Sequence, residues 1–373
     1  MKRGKVTNRL IDFYVGIPVL NFLACFRRKR KRPENLDRIG LLFNPALGDT
    51  LLASAAVQDI RGIFPSAKLI LFAAKTNLAA AKLLPGIDIV EMLPITNPFK
   101  AISILRQFKL DLMLDFTSWQ RITALFTMLS NAKFTIGFER KKQHRHRGYD
   151  LTVGHRGDCH EVDNMRRLTR LLGANVHAIP RLIIPAGPIP YLASDGKKRV
   201  VFHAWATGTF SSLREWPEER WVDLAIRLAA PGRVFLLTGS PADKPRCLAL
   251  CEKLIESGVS AEVIIGRDGI AEVARILQQA EMLVSVNTGI MHLGAILGVP
   301  TIALNGPTAS HRWGPVGAHV ANVPTIDGSG GFLDLGFEFR GQNVMVNIFV
   351  DDVLLAVEQL RTVPQGAGAV VSR

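Results

Sequence analysis

The sequence predicts an α/β protein of two doubly wound, Rossmann-like domains that face each other across a cleft. Short apolar runs alternate with helical stretches from residue 38 onward, which is typical of a parallel sheet with helices on both faces. A stretch containing three Pro and two Gly, 185–198, has linker composition and divides the pattern into two similar halves. Several apolar runs end in turns of small residues, and open α/β sheets bind ligands at such turns.

The first domain is expected at 38–184. Its strands are predicted from apolar runs that suit burial on both faces, and its helices from the stretches between those runs. A basic loop that contains His and Gly is expected at 143–157. The predicted strands are Ile39–Phe43, Leu69–Ala73, Ile89–Leu93, Leu110–Asp115 and Phe134–Phe138, and the helices are Thr50–Ile60, Pro98–Phe108, Arg121–Leu129 and Glu161–Leu172.

The second domain is expected at 199–349 and repeats the alternation. A closing helix is expected at 350–361, and the tail at 362–373 is predicted to be disordered. The predicted strands are Val200–His203, Val234–Thr238, Val263–Ile265, Met282–Val286 and Thr301–Leu304, and the helices are Glu218–Leu228, Lys244–Ile255, Ala271–Gln279 and Ile290–Leu297.

Positive charge is concentrated at the N-terminus. The chain carries a net charge of +14, and residues 1–40 hold eleven Lys/Arg against three Asp/Glu. A second basic cluster lies at 140–147. Such an excess attracts an anionic partner, for which nucleic acid, anionic lipid and phosphorylated glycan are candidates. No nucleic-acid-binding motif or aromatic platform accompanies the charge, so we expect no nucleic-acid partner.

The N-terminal segment 1–37 is predicted to associate with a membrane surface. The apolar run Phe13–Phe26 is interrupted by Gly, Pro and Asn, and it is shorter than the roughly 20 residues that a transmembrane helix needs. A basic hexapeptide, Arg27–Arg32, stands where a signal peptide would have its cleavage site. These features favour an interfacial anchor on an anionic inner-membrane surface. The alternative is a hydrophobic helix docked on its own domain.

The four cysteines show no metal-ligand spacing and no disulfide framework, which indicates a reducing compartment. No Asp-x-Asp pair stands in a suitable turn, and the His residues of the 143–157 loop have positive neighbours that oppose a cation. We therefore expect no metal and no cofactor. The expected location is cytoplasmic, peripheral on the inner face of a membrane.

The stretch after Met282–Val286 is the strongest candidate binding site. Asn287, Thr288 and Gly289 break the apolar run with N-cap chemistry, and a helix follows that carries His292 in its first turns. A second small-residue turn follows the next strand at 305–308. A helix N-terminus at this edge offers N–H groups and a positive dipole end to a phosphate. Spacing alone is equally consistent with a tight structural turn and a half-buried histidine.

Sequence motifs resemble those of a known family. Asn-Thr-Gly-x-x-His-Leu-x-Ala at 287–295, Pro-Thr at 300–301 and Gly-Pro-Thr at 306–308 resemble the donor-site signature of glycosyltransferase family 9, the heptosyltransferase family of bacterial lipopolysaccharide assembly. The family usually has Asp where Asn287 stands. The resemblance implies a GT-B fold, in which the first domain takes the acceptor and the second takes the nucleotide sugar.

The resemblance also assigns further donor-binding residues. Leu-Arg-Glu-Trp-Pro-Glu-Glu-Arg-Trp at 213–221 is similar to the family's basic-x-Trp-Pro-x-Glu-x-Trp/Phe motif, in which Arg214 matches the cation that meets the donor phosphates. Ser240 follows a strand and is expected near the nucleoside, and a loop that contains Trp205 is expected near the donor. Without the motif, Arg214 would be interpreted as an exposed surface arginine.

Asp49 is the predicted catalytic base. It follows the first strand, where a helix N-terminus favours the ionised carboxylate. Position alone favours a plain N-cap role. Gly-Asp-x-Leu at 48–51, however, resembles the family's acceptor-side motif, whose Asp acts as base.

These features together predict an inverting, metal-independent glycosyltransferase. It would transfer a sugar, with heptose from ADP-heptose as the candidate, to a lipopolysaccharide core or other lipid-linked glycan. The alternatives are a non-catalytic nucleotide-sugar- or glycan-binding protein on the same scaffold and another GT-B chemistry, such as a nucleotide-sugar epimerase.

Overall fold

The structure, a computed structural model, describes residues 6–43, 46–174, 177–189, 196–208, 211–265, 269–331 and 343–362. The chain divides into two compact units, Met1–Ile183 and Ile184–Arg373. Each unit contains one six-stranded sheet in which all paired strands are parallel. Residues 190–195 of the predicted linker and all of the predicted tail beyond residue 362 lie outside the described residues.

The first sheet begins in its middle and grows in both directions. Its strand order is β3-β2-β1-β4-β5-β6, so the chain reverses its direction of growth between β1 and β4. Its strands are β1 (Arg38–Phe43), β2 (Lys68–Ala73), β3 (Ile89–Met92), β4 (Leu112–Asp115), β5 (Phe134–Glu139) and β6 (Leu151–Gly154). Its helices are α1 (Val6–Tyr14), α2 (Gly16–Cys25), α3 (Leu47–Leu52), α4 (Ser54–Ile63), α5 (Leu78–Ala81), α6 (Pro98–Gln107), α7 (Arg121–Leu129) and α8 (Glu161–Arg170).

The second sheet has the same plan. Its strand order is β12-β11-β10-β7-β8-β9, and the reversal falls between β7 and β10. Its strands are β7 (Lys198–His203), β8 (Arg233–Thr238), β9 (Ala261–Ile264), β10 (Met282–Val286), β11 (Thr301–Asn305) and β12 (Val320–Pro324). Its helices are α9 (Glu218–Leu228), α10 (Lys244–Glu256), α11 (Ile270–Leu277), α12 (Gly289–Ile296), α13 (Ser310–Trp313) and α14 (Val350–Thr362).

The predicted strands and helices are present, with their ends shifted by up to three residues. The exception is the helix predicted at 50–60, which begins at Leu47 and is divided at Ala53 into α3 and α4. Two strands were not predicted, β6 and β12, and both form the edges of their sheets. Their residues are mostly half-buried or exposed, so they lack the continuous apolar run that marks the central strands.

The N-terminal helices pack against the first unit. Asp12 forms an ion pair with Arg121 at 3.0 Å and accepts the backbone N–H groups of Arg121 and Ile122, which caps the N-terminus of α7. Leu20 is fully buried. The side of this segment that faces the first unit therefore packs on it, as the docked-helix alternative predicts. The 1–37 segment belongs to the same compact unit as the first sheet.

Two of the six residues in the basic hexapeptide are engaged within the protein. Arg27 and Arg30 each form an ion pair with the buried carboxylate of Asp150 at 2.8 Å. Burial would raise the pKa of Asp150, but hydrogen bonds from Arg30 and the charge of Arg27 hold it below its ordinary value. Fewer positive charges are therefore available to a membrane than the sequence alone implies. No helix in the described part of the chain is both long and apolar enough to cross a membrane.

The predicted basic loop at 143–157 is instead an ordered part of the core. Arg145 is fully buried and donates to Asp115 at 2.8 Å and to the hydroxyl of Tyr149 at 2.6 Å. Burial raises the pKa of Tyr149 well above its ordinary value, so its hydroxyl stays protonated and donates to Asp115 at 2.7 Å. A Cβ at position 137 would fall inside the Tyr149 ring, which explains the glycine in the neighbouring strand.

This network predicts that truncation of Arg145 strongly lowers the stability of the protein, although the sequence alone suggests a surface residue in a basic cluster. Arg145→Ala should lower the free energy of unfolding by about 3–5 kcal/mol, because it leaves the Asp115 carboxylate buried without its counter-ion. Urea denaturation measures this. Arg147→Ala, at an exposed position two residues away, is the matched control and should change stability by about 0.5 kcal/mol at most. Equal small effects would contradict the assignment.

Candidate functional site

The predicted site residues all lie in segments that follow the carboxyl ends of strands. In the second unit these segments follow β7, β8 and β10, which end at one edge of the sheet because the strands are parallel. Asp49 lies in the first unit, in the segment after β1. β1 and β10 each border the reversal of strand order in their sheet, where open α/β sheets form their binding crevices.

Helix α12 starts directly after β10. Thr288 is its N-cap and has an extended backbone, and Gly289 is the first helical residue. The first N–H groups of an α-helix have no partner within the helix, so this end carries partial positive charge. A Cβ at position 294 would lie 2.5 Å from Leu283, so the glycine lets α12 lie close against β10. The segment therefore has the geometry of an anion site.

Asn287 takes part in a network of amide side chains. Its Nδ2 donates to Asn305 Oδ1 at 2.6 Å and to the backbone carbonyl of Trp313 at 2.9 Å. Asn305 in turn donates to Asn322 Oδ1 at 2.6 Å. A carboxylate could not donate to the Trp313 carbonyl, so these contacts require the amide. The carbonyl oxygen of Asn287 is then the side-chain atom suited to meet a ligand, as an acceptor.

The second small-residue turn, at 305–308, is covered by its own unit. The backbone N–H of Gly331 donates to the carbonyl of Gly306 at 3.0 Å. A Cβ on Gly306 would collide with Met345, and one on Gly330 would collide with the Gly306 carbonyl. Residues 305–308 are buried, whereas residues 287–290 at the start of α12 are half-buried, so α12 is the better candidate for anion contact.

Arg214 lies beside the loop that leaves β7. Its Nη2 donates to the carbonyl of Thr207 at 2.5 Å, and it ends the short 3-10 turn that begins at Ser211. The adjacent Glu215 accepts the backbone N–H of Ala206 at 3.3 Å. Arg214 is half-buried rather than a freely exposed surface residue. The guanidinium has five N–H donors in a planar fork, a geometry that suits phosphate oxygens.

Trp205, in the loop that leaves β7, is a core residue. Only 3% of its surface is exposed, and its indole N–H donates to Cys247 Sγ at 3.0 Å. The Arg246 guanidinium lies over the ring, 4.2 Å from its centroid. A Cβ at position 239 would lie 3.2 Å from the indole, so Gly239 makes room for the ring. The Trp205 side chain therefore packs in the core and anchors the loop that follows β7.

The Ser240 side chain forms a cap. Its hydroxyl donates to Asp243 Oδ2 at 2.5 Å, and its backbone N–H donates to the same oxygen at 2.9 Å. These bonds start the 3-10 turn at Pro241 and the helix α10 that follows. The hydroxyl proton is thus committed within the protein. The expected nucleoside contact at Ser240 remains a prediction that can involve only its acceptor lone pairs.

Two histidines lie near this edge, and sequence reasoning identified one of them. His292 is 4% exposed and lies on the buried side of α12. His203 ends β7, and its Nδ1 lies 3.0 Å from the Thr238 hydroxyl. Burial lowers the pKa of His203 to about 4, so it is a neutral polar residue at physiological pH. A histidine at the end of an apolar run was the available signal.

Asp49 lies in the first turn of α3. Asp49 is not the N-cap that position alone suggests: Ala46 is the N-cap, and Asp49 is the third helical residue, whose Oδ2 accepts the backbone N–H of Ala46 at 3.1 Å as in a capping box. The Asp49 side chain is half-buried. The turn is held from behind by Asn77, which donates to the hydroxyl of Thr50 at 2.9 Å. A fixed backbone therefore presents the carboxylate at the carboxyl end of β1.

Sequence reasoning missed Asp115 at the same edge. It ends β4, the strand that flanks β1 at the reversal, and its carboxylate is fully buried in the network with Arg145 and Tyr149. Asp115 also accepts the backbone N–H of Thr117 at 2.8 Å, which shapes the turn after β4. An acidic residue closing an apolar strand was the signal. These contacts assign Asp115 a positioning role.

Across the described ranges, no three His, Cys, Asp or Glu side chains come together in a way that could hold a metal ion. The polar groups gathered around α12 are amides, a guanidinium and backbone N–H groups. This set suits an anion better than a cation.

Several known proteins are similar to this chain in sequence. Lipopolysaccharide heptosyltransferase 1 of Pseudomonas aeruginosa is 37% identical over 150 residues, which are 40% of this chain and 40% of that protein. Its Escherichia coli counterpart is 36% identical over 30% of this chain and 33% of that protein. The chain thus aligns with less than half the length of either relative. Lipooligosaccharide heptosyltransferase 2 of Campylobacter jejuni is 22% identical over 72% of this chain and 81% of that protein.

Solved structures share the fold. A family 9 glycosyltransferase from Veillonella parvula superposes with a TM-score of 0.73 at 19% identity and covers 89% of this chain and 99% of that chain. An E. coli heptosyltransferase solved with ADP gives a TM-score of 0.66 at 20% identity, over 87% of this chain and 99% of that chain. These likenesses confirm the predicted GT-B fold.

The family model for glycosyltransferase family 9 (heptosyltransferase) matches residues 99–328. The matched range includes every predicted donor-side residue and begins beyond Asp49, whose role therefore depends on its place in the fold. The range also covers well over half of the sequence, and this chain belongs to glycosyltransferase family 9, the heptosyltransferase family.

Proposed function

We propose that this protein is an inverting, metal-independent glycosyltransferase that moves a sugar from a nucleotide-sugar donor to a lipopolysaccharide core or another lipid-linked glycan. The observation that carries the proposal is the N-terminus of α12 at the reversal of the second sheet, with Arg214 on the neighbouring loop. Both features suit the diphosphate of a nucleotide sugar. ADP-heptose is the first donor to test, since a similar E. coli heptosyltransferase has been solved with ADP-2-deoxy-2-fluoro heptose.

Donor cleavage places negative charge on the departing nucleoside diphosphate. In this proposal the first-turn N–H groups of α12 and the Arg214 guanidinium stabilise that charge, which is the role a metal ion has in other transferases. Asn287 offers its carbonyl oxygen to a sugar hydroxyl, because its N–H groups are bonded to Asn305 and Trp313. His292 orients the start of α12 from the buried side.

Asp49 acts as the base in the same proposal. It removes a proton from the acceptor hydroxyl while that oxygen forms a bond to the anomeric carbon and the bond to the diphosphate breaks. A single displacement of this kind inverts the anomeric configuration. The N–H group of Ala46 and the positive end of α3 both favour the carboxylate form that a base requires.

The site of action that this proposal implies is the cytoplasmic side of a bacterial inner membrane, where a lipid-linked acceptor would be exposed. The first experiment is a thermal-shift screen of nucleotide sugars, followed by turnover of the best binder with a lipid-linked acceptor and mass spectrometry of the product. Stabilisation without turnover would favour the non-catalytic alternative. Turnover that yields an isomerised nucleotide sugar without an acceptor would favour an epimerase.

Asp49→Asn should lower turnover by about 10²–10⁴, the usual contribution of a positioned base. The amide retains an acceptor oxygen for the Ala46 N–H, so folding and donor affinity should change little. Steady-state kinetics and donor titration measure the two effects separately. Asp37→Asn, at an exposed position in the same unit, is the matched control and should keep full activity. Undiminished turnover in Asp49→Asn would rule out this residue as the base.

Arg214→Ala should weaken the binding of the nucleoside diphosphate by roughly 1.5–3 kcal/mol, the range for a hydrogen bond to a charged group. The nucleoside without phosphates should bind as before, and calorimetric titration of both ligands distinguishes the two. Arg227→Ala is the control, because the last turn of α9 lies at the opposite edge of the sheet. Equal losses for both ligands would instead indicate a folding defect.

A further inference from the structure

The outer side of the N-terminal helices is an exposed apolar surface. Phe22 and Phe26 are 64% and 76% exposed, and their rings contact each other edge-to-face. Phe13 and Tyr14 form a second exposed edge-to-face pair. We call this surface the docking face. Its large apolar members are Leu10, Ile11, Phe13, Tyr14, Val15, Val19, Phe22 and Phe26.

Helix α2 is apolar on more than one side. Gly16 and Leu20 are buried against the first unit, while Val19, Phe22 and the C-cap residue Phe26 are exposed at helical spacing. A helix that is apolar all round is normally covered on all sides. The first unit covers one side of α2. The other side therefore requires a second apolar layer from outside the described chain.

Positive charge borders the docking face. Arg28, Lys29, Lys31 and Arg32 directly follow α2 and are exposed, whereas Arg27 and Arg30 are held by Asp150. These two ion pairs fix the basic segment against the first unit. Burial lowers the pKa of His146, and the charges of Arg147, His144 and, least, Lys29 act in the same direction against Glu139, so the positive region includes the predicted basic cluster.

The docking face is attached to the first sheet at two places: α1 at the ligand edge, and the basic segment after α2 at the opposite edge, where Arg27 and Arg30 bond to Thr135 and Ala132 at the start of β5. Asp12 caps the N-terminus of α7, and α7 follows the carboxyl end of β4. Asp49 follows the carboxyl end of β1, which pairs with β4 in parallel. The Asp12–Arg121 ion pair is nearly buried, so the attachment is firm. The surface is therefore a fixed part of the unit that carries the proposed base.

We propose that the docking face lies on an anionic phospholipid bilayer, with its aromatic rings in the interfacial layer and Arg28, Lys29, Lys31 and Arg32 over the headgroups. An apolar face bordered by cations matches the chemistry of that surface. The inference deepens the proposed function, because the docked unit would present its ligand edge to a lipid-linked acceptor. The docking face itself is inferred only from its exposure and its charge, and that inference does not depend on the proposed function.

A second copy of the chain is the competing occupant. Two-fold pairing would bring the same patch of both copies together, and with it the four exposed cations of each. Like charges at the border of an interface oppose such pairing. Anionic headgroups instead attract these cations, so the charge pattern favours the bilayer over a second copy.

The test is co-sedimentation of the full-length protein with vesicles of phosphatidylglycerol and phosphatidylcholine, compared with pure phosphatidylcholine. We expect binding to the anionic vesicles that weakens but persists between 0.1 and 1 M salt, over which the Debye length falls from about 10 Å to 3 Å.

Phe22→Ser/Phe26→Ser should lower the partition coefficient about tenfold in both lipids. Replacing Arg28, Lys29, Lys31 and Arg32 with Gln should lower it about 100-fold on anionic vesicles only.

Matched variants control for general effects. Phe99→Ser removes another highly exposed phenylalanine of the first unit, and replacing Lys68, Lys82, Lys100 and Lys109 with Gln removes four exposed charges away from the face. Neither should change partitioning. Absence of binding to anionic vesicles, or equal losses in these controls, would overturn the proposal.

Two further measurements separate the alternatives. Light scattering of the purified protein determines its mass, and a dimer that Phe22→Ser/Phe26→Ser dissociates would overturn the bilayer assignment. Turnover with a delipidated, water-soluble acceptor should be the same in the wild type and in Phe22→Ser/Phe26→Ser. A loss of vesicle binding with that turnover intact supports the docking face. If the wild type also fails to turn over the water-soluble acceptor, the proposed function is contradicted. The vesicle experiment then still tests the docking face by itself.

Discussion

The parallel order of each sheet, with one reversal in its middle, determines where a ligand can meet this chain. Strands on the two sides of the reversal send their connections to opposite faces, and the space between those connections is not filled by a helix. In the second unit this places the N-terminus of α12 and the loop after β7 side by side. In the first unit it places Asp49 beside the end of β4. The topology of each sheet therefore determines where the polar groups of the site lie.

Buried polar networks hold these edges in place. Asn287 and Asn305, at the carboxyl ends of β10 and β11, are linked through their amides to each other and to Asn322 within β12, and Asp115 joins Arg145 and Tyr149 at the corresponding edge of the first unit. Such groups cost free energy when they are left without partners, so each network favours one arrangement of the turns. Preorganised turns can stabilise developing charge without first reorganising, which is the requirement for glycosyl transfer.

Much of this arrangement could be predicted from sequence. Central strands are continuous apolar runs, and α12 begins with recognisable capping residues, so both were predicted almost to the residue. Charge was the less reliable guide, because a residue type does not reveal its partner. Arg145 looked like part of a surface cluster and is buried against Asp115, and Ser240 uses its hydroxyl within its own turn. The sequence also did not reveal that Trp205 is a core residue, because the space that Gly239 leaves for its ring is formed only in the folded chain.

The central claim is that a nucleoside diphosphate binds at the β7–β10 edge of the second unit. Hydrogen–deuterium exchange of the full-length protein, with and without the nucleoside diphosphate that binds best, tests it most directly, since protection is localised to peptides. We predict slower exchange in peptides that span 287–296 and 204–208 and no change at the opposite edge of the same sheet. Protection confined to the first unit, or none at millimolar ligand, would contradict the account.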